Sequence, residues 1–297
     1  MSDKVLNQDL NDRVPDRNVM MMAQLLFREK PKQADTDALK AALEALIGEV
    51  NNITDKPEMP MFSTSKFKAV FSDKPEGVPV LANYIGPHEF SAEKLDEMTR
   101  SQFWDFQGGS IDDFKYSVDA FAMLGAGLPY KEQAELFLAQ VDAALKCYPD
   151  CEAIFVIHSG KLTTPADFEH CKQFALPERF IRLAVNARFF NIQDSDDMIV
   201  DTLGFFAFGG ADVQLHFHGL DPNHAVEYVY NIASYQFAND FPVKTGDTID
   251  GIENGIIVQH IQWETRYEDS LIQPVRPVLD INCGEFASGR RGASSSL

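Results

Sequence analysis

Cysteine is scarce: four in 297 residues, Cys147, Cys151, Cys171 and Cys283, with no CxxC pair among them. So few thiols exclude a disulfide scaffold, and their spacing gives no zinc-ribbon pattern; reduced, buried thiols are expected. Basic residues are also few, with 26 Lys and Arg against 45 Asp and Glu and a net charge of −19. That sign repels a phosphate backbone at long range, so no nucleic-acid partner is expected, and a basic protein partner is the easier one to accommodate. No apolar run approaches the ~20 residues that span a bilayer, and the stretch 203–211 is broken by glycines. The first 18 residues are polar and lack the apolar core of a secretory signal. A cytoplasmic protein without membrane association is the expectation.

Familiar catalytic frames are missing as well. There is no GxSxG elbow, no HExxH pair and no kinase set, and Gly108-Gly109 and Gly209-Gly210 stand outside any phosphate-loop or dinucleotide frame. Ser159-Gly160-Lys161 lacks the upstream glycine of a phosphate loop. No catalytic residue is assigned, and the balance tilts away from an enzyme.

What is present is a globular composition, 45% hydrophobic and 24% charged. The run 20–27, MMMAQLLF, reads as a buried strand. Asp35 or Thr36 can cap the helix that follows, where Leu39, Ala42, Leu43, Leu46 and Ile47 form one stripe and Gly48 closes it. Strands at 66–72 and 78–86 flank a turn, Ser91 is placed to cap a second helix, and 114–124 returns as a strand. The order β-α-β-β-α-β over residues 18–125 is that of a ferredoxin-like unit. After Pro129 comes a long amphipathic helix, then strands at 153–158, 180–191, 200–206, 213–218 and 256–267, with a helix begun by Asp221 and Pro222 between the last two. The fold class is therefore α+β: a ferredoxin-like unit, then a second α+β unit over 126–283 with an antiparallel sheet and covering helices. Tails at 1–17 and 284–297 are expected to be disordered.

Several segments resemble a known family in order along the chain: IGPHEF (85–90), MTRSQFWD (98–105), PYKEQAEL (129–136), SGKL (159–162), NARFFNI (186–192), FHGLDPN (217–223), GDTIDGI (246–252) and RYEDSLIQPVR (266–276). The chain resembles the bacterial proteins catalogued as domain of unknown function 4261, over about residues 20–286. The resemblance implies a small soluble bacterial protein and supplies no reaction.

Strand alternation groups the polar residues that could bind something. In 212–219, DVQLHFHG, the residues Asp212, Gln214, His216 and His218 share a face. In 180–190 it is Arg182, Asn186 and Arg188, and in 258–267 it is His260, Gln262, Glu264 and Arg266. If these strands share a sheet, an open face made of Arg182, Asn186, Arg188, Asp212, His216, His218, His260, Glu264 and Arg266 is expected to suit an anionic ligand or an acidic loop of a protein partner. An immunity- or adaptor-like binding module without a cofactor is the first reading. The alternative is a metal-dependent hydrolase or metal-binding protein, with zinc or another divalent ion on His216, His218 and His224. The acidic runs at 194–197 and 268–269 and the turn at 246–251 read as turn or cap residues.

Overall fold

The computed structural model describes residues 7–8 and 19–291. The chain divides into two compact units, residues 18–184 and residues 1–17 with 185–297. Strand β1, Asn7–Gln8, belongs to the latter.

The unit spanning 18–184 holds β2 (Met22–Phe27), α1 (Thr36–Ile47), β3 (Val50–Asn52), β4 (Met61–Phe71), β5 (Lys74–Glu89), α2 (Glu97–Ser101), β6 (Tyr116–Met123), α3 (Tyr130–Cys147), β7 (Ala153–Val156), β8 (Lys161–Thr163), α4 (Pro165–His170) and α5 (Leu176–Ala184). Its seven strands run in the order β3-β4-β5-β6-β2-β7-β8, each pair antiparallel. The ferredoxin-like βαββαβ order is carried by β2-α1-β5-β6-α3-β7, so that β2 lies between β6 and β7.

This differs from the expected assignment in its second helix. Ser91 makes no side-chain cap, and only a 3-10 turn, Ala92–Lys94, and the single-turn α2 follow. Phe103 and Phe106 instead pack edge-on against Phe155 and Phe114, so 90–114 lies against a cluster with Leu26, Ala153 and Leu162 at its centre. The covering helix is α3, whose Gln140 carbonyl accepts from the Tyr84 hydroxyl at 3.2 Å. A unit ending near residue 125 would lack α3 and β7, and the boundary accordingly falls at 184/185.

Helix α1 forms as its sequence dictates. The Asp35 carboxylate accepts from the Ala38 N–H at 2.9 Å, Leu39, Leu43 and Ile47 are buried, and Gly48 closes it at φ +81°. Helix α5 occupies half of the strand expected at 180–191. Pro177 opens it, Arg182 Nε donates to Glu178 Oε1 one turn back at 3.0 Å, and Phe180, Ile181 and Ala184 are buried at helical spacing.

The other unit holds β9 (Asn186–Asn191), β10 (Met198–Leu203), β11 (Asp212–Phe217), α6 (Pro222–Ala238), β12 (Thr248–Glu253), β13 (Ile256–Asp269), β14 (Pro277–Asn282) and β15 (Arg290–Arg291), the last paired with β1. The sheet order is β12-β13-β14-β11-β10-β9, antiparallel except for the β11–β14 pair. Asp221 caps α6 by accepting from the Asn223 N–H at 2.8 Å, with Pro222 in the first turn. The helix buries Ala225, Tyr228, Val229, Ile232, Ala233 and Phe237, lying against β9, β10 and β11. Part of the expected C-terminal tail is structured, since Gly284–Phe286 forms a 3-10 turn and Ala287 bridges to Phe217. The rest of that tail and most of residues 1–17 lie outside the described residues. No helix among the described residues is long and apolar enough to cross a membrane.

In the unit spanning 18–184, His158 is buried 5.9 Å from the Phe137 ring, and neither ring nitrogen has a hydrogen-bond partner among the described residues. Burial pushes its pKa down to about 3. The unfolded chain therefore takes up a proton as pH falls below about 6.5 while the folded chain does not, and stability drops in that window. We expect His158→Phe to remove about 2 kcal/mol of the stability lost between pH 7 and pH 5, read from urea unfolding at both values. An unchanged acid slope would show that His158 is solvated in the native state.

Candidate functional site

One row of side chains crosses five strands of the second sheet. Arg188 of β9 faces Asp201 of β10, which faces Gln214 of β11, then Asp280 of β14, then Arg266 of β13. Period-two alternation places all five on the same side, opposite Val213, Leu215, Leu279 and Ile281. The Arg188 guanidinium grips Asp201 with two bonds, Nε to Oδ1 at 2.9 Å and Nη2 to Oδ2 at 2.6 Å. Gln214 Nε2 donates to Asp280 Oδ1 at 3.1 Å and to Glu268 Oε1 at 3.3 Å, and Arg266 Nε donates to Glu268 Oε2 at 2.9 Å.

The loop 270–276 folds over this row and locks to it. The Leu271 N–H donates to Gln214 Oε1 at 2.8 Å, and Arg188 Nη1 donates to the Gln273 carbonyl at 2.8 Å. Arg276 reaches inward, with Nη2 2.7 Å from Asp201 Oδ2 and Nε 2.9 Å from Asp212 Oδ2. Its Nη1 donates back to the Ile272 and Pro274 carbonyls of its own loop. Burial raises the Asp212 carboxyl above its usual range, against the pull of Arg276 and a bond from the Phe205 N–H. Asp201 and Asp212 together outweigh burial and hold the Arg276 guanidinium protonated.

This face is closed, which corrects the expectation of an open one. Arg188, Asp212 and His216 are buried, Asn186 likewise, and the Arg266 side chain is 15% exposed. The guanidinium donors that would grip an anion already hold carboxylates and carbonyls of their own chain. Arg182 lies on α5 in the other compact unit, and His260 is exposed beyond a bulge in the β12–β13 pairing, 3.9 Å from Glu253. Glu264 is exposed and pairs with Thr248 across to β12. Sequence reasoning missed Asp201, Arg276 and Asp280, and took Glu268 for a turn acid. Alternation within β10 and β14 marks Asp201 and Asp280 once those strands are drawn; nothing local marks Arg276.

The three histidines do not converge. His216 is fully buried with Nε2 4.0 Å from Asp197 Oδ2, His218 is exposed with Nδ1 3.1 Å from Ser288 Oγ, and His224 rests against Gly255 in the β12–β13 turn. Among the described residues no group of three or more His, Cys, Asp or Glu side chains is placed to hold a metal ion. Burial pushes the Cys151 thiol up to about 12 and the Cys147 thiol up as well, so neither is primed as a thiolate ligand.

An open concavity among the described residues of this unit lies elsewhere, between α6 and β12. It is a groove of about 660 Å³, lined by Asn231, Ile232 and Tyr235 of α6, Pro242 and Val243 of the connection, Asp247–Asp250, and Ile257. Tyr235 is 50% exposed and Ile257 42%. Strand β12 ends the sheet, with β13 on one side and no strand on the other among the described residues.

Residues 201–282 match the family model described as Domain of unknown function (DUF4261). The match starts at Asp201 and takes in β11 to β14, α6 and the loop carrying Arg276, so it contains most of the buried row and the whole groove. No curated protein and no solved structure matches the chain.

Removing Arg276 would leave Asp201 and Asp212 facing each other in a closed, dry layer. We expect Arg276→Met to cost about 3–5 kcal/mol in urea unfolding, while Arg182→Ala, at a solvated pair, stays within about 0.5 kcal/mol. A loss below 1 kcal/mol for Arg276→Met would mean that the network is solvated and the loop open.

Proposed function

We propose that this chain is a non-enzymatic protein-binding module, adaptor- or immunity-like in use, and that it holds its partner in the groove between α6 and β12. The observation that carries the reading is the half-exposed Tyr235 ring beside Ile257, Pro242 and Ile249 in a concavity of binding-site size. Tyrosine brings a large apolar area and a polar end at small entropy cost, which is why it recurs at interface centres. Arg188 and Arg266, first expected to make the contact, support this relocation, because they are engaged inside the protein.

The test is capture from native lysate with the intact chain and with Tyr235→Ala/Ile257→Asp. We expect a partner retained by the intact protein and lost by the variant, with Tyr235→Ala alone weakening binding by about 2 kcal/mol, roughly thirtyfold. Both side chains are about half exposed, so thermal unfolding should move little. A partner held equally by both proteins would remove the groove from consideration. Repeated captures that retain nothing would count against the binding-module reading itself.

A further inference from the structure

We propose that the groove between α6 and β12 takes an extended, basic segment of another protein, one that lays lysine or arginine side chains on Asp247, Asp250 and the Tyr235 ring. This rests on the groove being the binding site.

Charge selects the occupant. Residues 185–291 contain sixteen Asp and Glu and six Lys and Arg. Arg188, Arg266 and Arg276 lie in the closed layer with Asp201, Asp212, Glu268 and Asp280, so the rest of this stretch of sequence has twelve carboxylates and three cations. Two of those carboxylates line the groove and neither is ion-paired among the described residues. Asp247 Oδ2 accepts from the Lys244 backbone N–H at 2.7 Å, and Asp250 Oδ1 accepts from the neutral Gln262 amide at 2.6 Å. Glu253 continues the acidic line to the end of β12, with His260 Nε2 3.9 Å from its carboxylate. An acidic or nucleic-acid segment would meet repulsion here, and so would a second copy of a chain of net charge −19.

The surface between the acids suits the same occupant. An aromatic face beside carboxylates attracts an ammonium or guanidinium, while Ile257, Pro242 and Ile249 can cover the aliphatic stem of a lysine or arginine. The shape calls for an extended chain, since the groove runs beside an edge strand whose outer side pairs with no other strand among the described residues. The straight part of that edge ends at the bulge between Asp250 and Gly251, so the acids at 247 and 250 face the ordered stretch of a docked segment.

The experiment measures binding of three short peptides to the full chain by fluorescence anisotropy: alternating Lys-Thr, alternating Glu-Thr and alternating Ser-Thr. The Lys-Thr peptide is expected to bind, at least tenfold more weakly to Asp247→Asn/Asp250→Asn and more weakly again when salt rises from about 50 mM to about 500 mM. The Glu-Thr peptide is expected not to bind. Equal binding of all three peptides, Lys-Thr binding indifferent to the double substitution, or no Lys-Thr binding up to about 1 mM would each overturn the basic occupant. Tyr235→Ala/Ile257→Asp capture reads the groove independently: a partner lost there, together with peptides that fail to discriminate, would leave the groove standing and remove its proposed specificity.

Discussion

Asp201 is the contact on which its unit depends. It sits fully buried on β10 and receives two guanidinium groups, Arg188 from the neighbouring edge strand and Arg276 from the far end of the loop 270–276. One carboxylate cannot neutralise two such groups in a dry layer, which is why Asp212 lies 2.9 Å from Arg276 Nε and why Glu268 and Asp280 answer Arg266 further along the row. Burying charges of either sign costs several kcal/mol each, and their mutual attraction offsets that only when every donor and acceptor is engaged. The gain is therefore in uniqueness more than in net stability: a shifted register would leave a buried charge alone, so the pairing of β9, β10, β11, β14 and β13 is held to one alignment.

The same row explains why a polar face is here a closed one. Alternation along 212–217 tells which side chains share a side of the sheet, and it placed Asp212, Gln214 and His216 together correctly. It carries no information on whether that side meets water, because the answer lies in Leu271 and Arg276, some sixty residues downstream in a loop with no period of its own. Where a signal is local the reading holds in most places, Ser91 excepted. The Asp35 and Asp221 caps, Pro222 and the apolar stripes of α1 and α6 all sit as their residues imply. Where two periods compete it does not: Ile181, Leu183 and Val185 alternate like a strand, while Phe180, Ile181 and Ala184 fit a helix, and the Glu178–Arg182 pair accompanies the helical outcome.

The ferredoxin-like unit shows a third limit. The order of its elements was legible, but a β-hairpin, β4 with β5, stood in sequence where the second and third strands of the motif were looked for. The true third strand, β6, comes after a long segment whose aromatic residues, Phe103 and Phe106, pack as core rather than as one face of a helix. Strand order is set by which strands find a crossover helix, and α3 supplies it for β6 and β7, not for β5 and β6.

Closing the polar layer also decides the electrostatics of what remains outside. Three of the six cations in 185–291 are drawn inside to balance four of the sixteen carboxylates, so the network removes positive and negative charge from the surface in nearly equal number, although cations are much the rarer. The surplus outside is thereby concentrated, and a field that would be merely acidic if the arginines were exposed becomes almost unopposed around β12. A fold that holds Arg188, Arg266 and Arg276 in its closed layer thus leaves the groove between α6 and β12 lined by Asp247, Asp250 and a tyrosine ring, and the charge of the occupant proposed for that groove follows from the demands of the core behind it.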